Sequence, residues 1–293
     1  KEKQKVGIFI LERDTIKLLY PVSEIISFRS YDLTTTYIKG VDFDITADGQ
    51  IKRLEGSRIP VYTEALVGGI NSDESNKSFV TADGQYLQFI GDTIFPRFAV
   101  AVTYKFDAKW ADGFQGYKVP SAVNDIPNTI AKLENGEEVN IVVYGDSTST
   151  GMSASGHPRI NVAPYAETWM DMFIGTLRAK YPQATINYEN IAVGGKQSKW
   201  GMENIATQLA LLTKKPDLMV LAFGGNDLLG GVSPEDFGTR TQGIIEGLRN
   251  EENTNGNANA EVLLWSPKIN NPVSTKYLVE YFLAYETALE TIA

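Results

Sequence analysis

Two patterns of apolar and polar positions follow one another along the chain. Up to about residue 118 the apolar residues come in short or alternating stretches: KVGIFI at 5–10, IKLLYPV at 16–22, EIISFRSY at 24–31, FVTADGQYLQFI at 79–90 and RFAVAVTYKF at 97–106. Gly, Asp, Asn and Pro separate them, and runs of this length and period predict strands. The pentapeptide TADGQ occurs at 46–50 and again at 81–85. Each copy holds an Asp-Gly pair of the kind that tight hairpin turns prefer, so the repeat reads as two similar turns. Residues 1–118 are therefore expected to form a small all-β domain of sandwich or jelly-roll-like type.

Residues 119–138 read as a linker punctuated by Pro120 and Pro127, with a short helix predicted over 129–134 and ending at Gly136. From 139 to 293 strands and helices alternate. Strands are predicted at 140–144, 185–193, 217–224 and 261–267, and helices at 163–182, 202–215, from Ser233 onward, and over the last stretch to Ala293. Ser233 supplies an N-cap and Pro234 the first helical position. The polar run 251–261 reads as a flexible connection. Such alternation predicts a doubly wound α/β domain with a mainly parallel sheet.

Charge and composition narrow the partners. A formal charge of −9 argues against nucleic acid, because phosphate contacts need clustered Lys and Arg. No apolar run approaches the roughly 18–20 residues of a membrane span, and the N-terminus has no signal-peptide pattern. The absence of cysteine removes disulfides, thiolate catalysis and the usual structural zinc sites. One histidine, His157, and scattered carboxylates give no metal-ligand pattern, and no cofactor is implied. A cysteine-free chain suits the cytosol and also a secreted or periplasmic bacterial setting; the latter is the expectation taken here.

Each of the first three strands of the α/β region ends in a polar cluster: Gly145-Asp146-Ser147, then Asn190 followed by Gly194-Gly195, then Gly224-Gly225-Asn226-Asp227. In a parallel sheet these ends share one edge, where ligands bind. Acyl transfer needs a nucleophile and oxyanion donors about 3 Å from one reacting centre. Ser147 offers a hydroxyl and its own N–H, a glycine lets the backbone approach, and Asn226 adds a carboxamide. Alone, Ser147 reads equally as a turn residue or helix cap. The three clusters in order are far more specific.

In these blocks the segment from about 139 to 293 resembles the SGNH, or GDSL-type, hydrolases. The resemblance implies a flavodoxin-like parallel sheet and ester hydrolysis, with Ser147 as nucleophile and Gly195 and Asn226 in the oxyanion hole. Gly194 competes closely with Gly195. Asp146 and Asp227 match positions that brace the loops. The Gly-x-Ser-x-Gly elbow of the α/β-hydrolases is absent.

The chain departs from that family in one block. The family's Asp-x-x-His motif, which supplies base and orienting carboxylate, is missing. His157, ten residues after Ser147 and next to Pro158, reads as a solvated loop residue. The resemblance therefore leads to the expectation that a fifth strand and the Asp-x-x-His loop lie beyond Ala293. Trp200, just after the glycine pair, is a candidate substrate platform; Trp169 and Trp265 fit core positions. The strand-region tyrosines, Tyr37 and Tyr104 among them, are expected to serve packing. The expected substrate is a small-molecule or polysaccharide ester, with acetylated carbohydrate preferred because a β-module precedes the hydrolase-like region, as in carbohydrate esterases. The alternatives are a lipase or thioesterase, and a non-catalytic carbohydrate-binding or structural protein of the same descent.

Overall fold

A computed structural model of the chain describes residues 2–9, 15–61, 77–80, 86–88, 98–107, 125–267 and 279–293. The chain divides into two compact units, residues 1–119 with 160–166, and residues 120–159 with 167–293.

The described strands of the first unit are antiparallel. β1 (Glu2–Phe9), β3 (Glu24–Ser30) and β8 (Ala99–Phe106) form one sheet in the order β1-β8-β3. β2 (Thr15–Ile16), β4 (Phe43–Ile45) and β5 (Ile51–Arg53) form a second, β2-β5-β4, and β6 (Lys77–Val80) pairs with β7 (Tyr86–Gln88). Period-two alternation explains β8, whose Val100, Val102, Tyr104 and Phe106 are all buried. They meet Phe28, Tyr37, Phe43 and Ile51, so side chains from both three-stranded sheets share one core. Tyr37 and Tyr104 thus do packing work. The first TADGQ copy makes the predicted tight turn: Thr46 N donates to Gln50 O, Gly49 N donates to Thr46 O, and Gly49 takes a φ of 77°. A side chain there would strike Pro21 and the backbone of Val22 at 2.8 Å. The second copy lies outside the described residues.

The second unit opens with helix α1 (Pro127–Asn135), in the stretch expected as a linker, closed by Gly136 in the left-handed conformation at φ 75°. Its first N–H groups are capped from far away, with Asn128 N and Thr129 N donating to Glu261 at 2.8 and 2.7 Å. Then come β9 (Glu138–Gly145), α2 (Ser147–Thr150), α3 (Trp169–Lys180), β10 (Thr185–Asn190), α4 (Ser198–Leu209), β11 (Leu218–Ala222), α5 (Gly225–Leu229), α6 (Pro234–Arg249), β12 (Glu261–Leu264) and α7 (Val279–Ile292). The four strands are parallel in the order β10-β9-β11-β12. With β9 counted first, this is the 2-1-3-4 order of the flavodoxin-like folds, with a switch point between β9 and β11.

Both faces of the sheet are covered, which is why β9 and β11 read as nearly unbroken apolar runs. Val142, Tyr144, Met219 and Leu221 pack with α4, α6 and α7; Val139, Ile141, Val143 and Val220 pack with α1 and α3. Helix α3 starts later than the periodicity predicts because Thr168 and Asp171 form a reciprocal capping box. Ser233 caps α6 as expected, accepting from Asp236 N. The run 251–261, expected to be flexible, is tied down by asparagine side chains. Asn253 donates to Gly247 O, Asn255 to Leu209 O and Leu212 O, and Asn257 to Pro216 O. Among the described residues, no helix is long and apolar enough to cross a membrane.

Candidate active site

The carboxyl ends of β9, β10 and β11 deliver the three clusters to one edge of the sheet, as the parallel topology requires. At the end of β9, Gly145 is compelled by space: a Cβ there would overlap Ala222 O and Ser149 Oγ. Asp146, buried, takes extended backbone and accepts from Thr148 N at 2.8 Å, so it is the cap and Ser147 is the first residue of the short turn α2. The Ser147 side chain is left half-exposed at the rim.

The loop after β10 runs against that serine. Asn190 donates to Ser149 O at 2.8 Å and accepts from Ala192 N at 3.0 Å, folding the loop back toward α2. Gly194 lies so close that a Cβ on it would sit 3.6 Å from Ser147 Cβ and 3.0 Å from Met152 Cε. Gly195 follows with φ 76° and open space around it. Gly194 thus faces Ser147 with little more than the room of a methyl group between them, and the next amide along the chain belongs to Gly195.

The loop after β11 reaches the same place. Asn226 Nδ2 donates to Lys196 O at 3.0 Å and approaches Asp146 Oδ2 at 3.5 Å. The first bond is of ordinary length and the second is weak, so one of the two amide hydrogens is lightly engaged. Gly225 is needed for the approach of Asp146 Oδ2, 3.1 Å from where a Cβ would stand.

Two further contacts hold the second and third loops together. Gln197 Nε2 donates to Asn226 O at 3.0 Å. Asp227, fully buried, accepts from Ser198 N at 2.9 Å and from Ser198 Oγ at 2.5 Å, with Arg240 3.8 Å away. Asp227 therefore caps helix α4 from another loop. That explains why α4 begins at Ser198, earlier than the predicted 202: Gln197, its local N-cap, makes no side-chain cap bond.

A cavity of about 590 Å³ opens beside Asn226 and Gly195, lined also by Lys196, Lys199, Trp200 and Leu229. Trp200 is half-buried and packs against Tyr144 with ring centroids 6.2 Å apart. The candidate platform residue is thus in the same cavity as two of the residues expected to act on substrate. Sequence reasoning assigned Trp169 and Trp265 to the core. Trp169, partly buried, does pack against the core, whereas Trp265 is 45% exposed just past the end of β12, its ring 4.4 Å from that of Trp169. The Trp169 indole donates to Thr148 O at 2.9 Å, pinning the turn that carries Ser147. No local signal could have found this bond, which spans 21 residues.

His157 stays within its own loop, its Nδ1 accepting from Arg159 N at 3.2 Å. Among the described residues, no imidazole or carboxylate hydrogen-bonds the Ser147 hydroxyl.

A parallel α/β sheet with serine, glycine and asparagine loops on one rim defines the class to which the comparisons point. Residues 143–293 match the GDSL-like lipase/acylhydrolase family, and with more than half of its residues in that match the chain belongs to this family. No curated protein matches it. Among solved structures it is similar to a two-domain esterase active on acetylated mannans, co-crystallized with mannopentaose (22% identity, 48% of this chain and 34% of that one, TM-score 0.37). It is also similar to AlinE4, an SGNH-hydrolase family esterase (25% identity, 53% and 72%, TM-score 0.40). A third is the psychrotrophic esterase EstA from Pseudoalteromonas sp. (17% identity, 52% and 73%, TM-score 0.38). The chain spans about a third of the length of the two-domain esterase.

Proposed function

We propose that this protein hydrolyses carboxylic esters, with Ser147 as the nucleophile. The observation that carries the reading is the meeting of three loops. Gly194 faces Ser147 across the space of one methyl group, and Asn226 lies against both Asp146 and the backbone of Lys196. Attack by the serine oxygen on an ester carbonyl places negative charge on the carbonyl oxygen. The N–H groups of Ser147 and Gly195 and the lightly held N–H of Asn226 are the donors proposed to receive it, in a geometry fixed before substrate arrives. Collapse of the tetrahedral intermediate expels the alcohol, which leaves with the proton lost by the serine hydroxyl, and water then releases the acid and restores that hydroxyl.

The substrate proposed is acetylated carbohydrate. The cavity beside Asn226 is lined mainly by polar and charged side chains, with Leu229 the aliphatic exception, which suits a hydroxylated ring better than a long acyl chain. The antiparallel first unit, whose two three-stranded sheets share a core, is proposed to be the sandwich-type accessory module of such an enzyme. A second reading, a binding protein of the same descent, is favoured by one observation: the Ser147 hydroxyl has no base among the described residues.

The test is hydrolysis of 4-nitrophenyl acetate by the full-length protein and by Ser147→Ala. Loss of at least about 1,000-fold in kcat/KM with an unchanged circular dichroism spectrum is expected, since removing a nucleophile leaves only residual binding catalysis. Equal rates in the two proteins would remove Ser147 from the reaction. No turnover by either would favour the binding protein.

A further inference from the structure

The cavity beside Asn226 carries a charge that the rest of the chain does not lead one to expect. The protein has a formal charge of −9, yet two lysines and one glutamate line this cavity. Glu203 is taken by Lys199, one helical turn away at 3.8 Å. Lys196 has no carboxylate partner among the described residues. Its ammonium instead stands over the Trp200 ring, 5.3 Å from the centroid, an attraction that orients a cation without neutralising it. Tyr144 packs against that ring, with centroids 6.2 Å apart, and the ring lies against the core beneath the sheet. Lys196 also belongs to the oxyanion loop by its backbone, since its carbonyl accepts from Asn226 Nδ2. A single residue thus ties the proposed reaction centre to a positive charge that has no carboxylate partner among the described residues.

We infer that this cavity selects substrates bearing a carboxylate, and specifically sugar acids whose carboxyl is free and whose hydroxyls carry the ester, with Lys196 as the specificity-determining residue. The inference rests on the proposed reading as an ester hydrolase of carbohydrate and names its substrate class. A carboxylate on the bound sugar supplies the partner that the ammonium lacks, and the indole beneath holds the ammonium ready, so little side-chain ordering remains to be done on binding. The remaining lining groups suit hydroxyls: Lys199 and Glu203 at the outer wall and the backbone of the Gly195 loop. The apolar lining is limited to Trp200 and Leu229, short of what a long lipid chain needs, and neutral sugars leave the ammonium unmatched.

The experiment uses Ser147→Ala protein, which does not consume its ligand, and compares digalacturonate with its methyl ester by calorimetry, with Trp fluorescence as a second readout. The acid is expected to bind at least about 10-fold more tightly, and the preference to shrink as salt rises from low to 0.5 M, because screening weakens a half-exposed ion pair. Lys196→Gln is expected to abolish the preference and Lys196→Arg to retain most of it. Equal binding of acid and methyl ester, no binding of the acid at millimolar concentration, or an undiminished preference in Lys196→Gln would each overturn the inference. Because no turnover is involved, these outcomes are independent of the 4-nitrophenyl acetate assay that tests ester hydrolysis itself.

Discussion

The two units manage their loops in opposite ways. In the first, two turns are held mainly by their own polar side chains. Thr46, Asp48 and Gln50 bond one another within four residues, and Ser30, Asp32 and Thr34 do the same within the next turn. In the second, the loops at the sheet edge bond each other: Ser198 to Asp227 across 29 residues, Asn190 to Ser149 across 41, and Asn226 to Asp146 across 80. A turn that satisfies most of its own polar groups folds wherever its strands put it. Loops that complete each other's hydrogen bonds have one arrangement, and a chemical site that needs donors placed to within a fraction of an ångström gains from that constraint.

The contrast can be broken most severely at Asp227. Asp227→Ala strips Ser198 of its cap and leaves Arg240 facing an empty, buried position. A loss of roughly 2–4 kcal/mol in unfolding free energy is expected, since one partner of a buried charged group is removed. It should be accompanied by a drop in kcat larger than that in KM. A urea titration together with 4-nitrophenyl acetate kinetics measures both. Stability within error of the wild type would mean that the loops do not depend on this bond.

An intermediate effect is expected from acid at Asp42 in the first unit. The Arg58 guanidinium, 2.6 Å away, holds this carboxyl well below the usual carboxylate range, helped by the backbone N–H groups of Ile38 and Arg58. Its folded value is lower than its unfolded one, so its contribution to stability is complete above about pH 4 and is lost as pH falls further. Asp42→Asn should therefore lower the melting temperature of the first unit at pH 7, and the difference from wild type should narrow below pH 4. A constant difference across that range would exclude the linkage.

The smallest effect sharpens the comparison from the other side. Thr46→Val removes the hydroxyl that accepts from Gln50 N and donates to Asp48, a cost of about 0.5–1 kcal/mol for one exposed turn. Ester hydrolysis should be unchanged, because the bonds of this hydroxyl stay within residues 46–50. A matching loss of activity would show that the units are coupled.

What the sequence disclosed follows the same division. Signals that live within a few residues were legible: the Asp-Gly turn at 48–49, the Ser233-Pro234 helix start, the alternation of β8, and the three strand-end blocks that led to Ser147, Gly195 and Asn226 as candidates. What was not legible acts at long range. Helix α4 begins at Ser198 because Asp227 caps it, and nothing adjacent to Ser198 announces that. Asn255 and Asn257 look like a loose polar run, and only the fold brings the carbonyls of Leu212 and Pro216 within their reach. Trp265 has the composition of a core residue, but it falls one position past the end of β12 and its side chain is 45% exposed.

Glu261 carries a consequence for how the protein is made. It accepts from the first amides of α1, which left the ribosome 132 and 133 positions before it. At roughly 5–20 residues per second, that helix spends on the order of ten seconds in the nascent chain without its cap. The opening helix of the α/β unit is therefore among the last pieces to be locked. A ribosome stalled before β12 should carry a chain whose first turn after Pro127 is still open to protease, while one stalled after it should not.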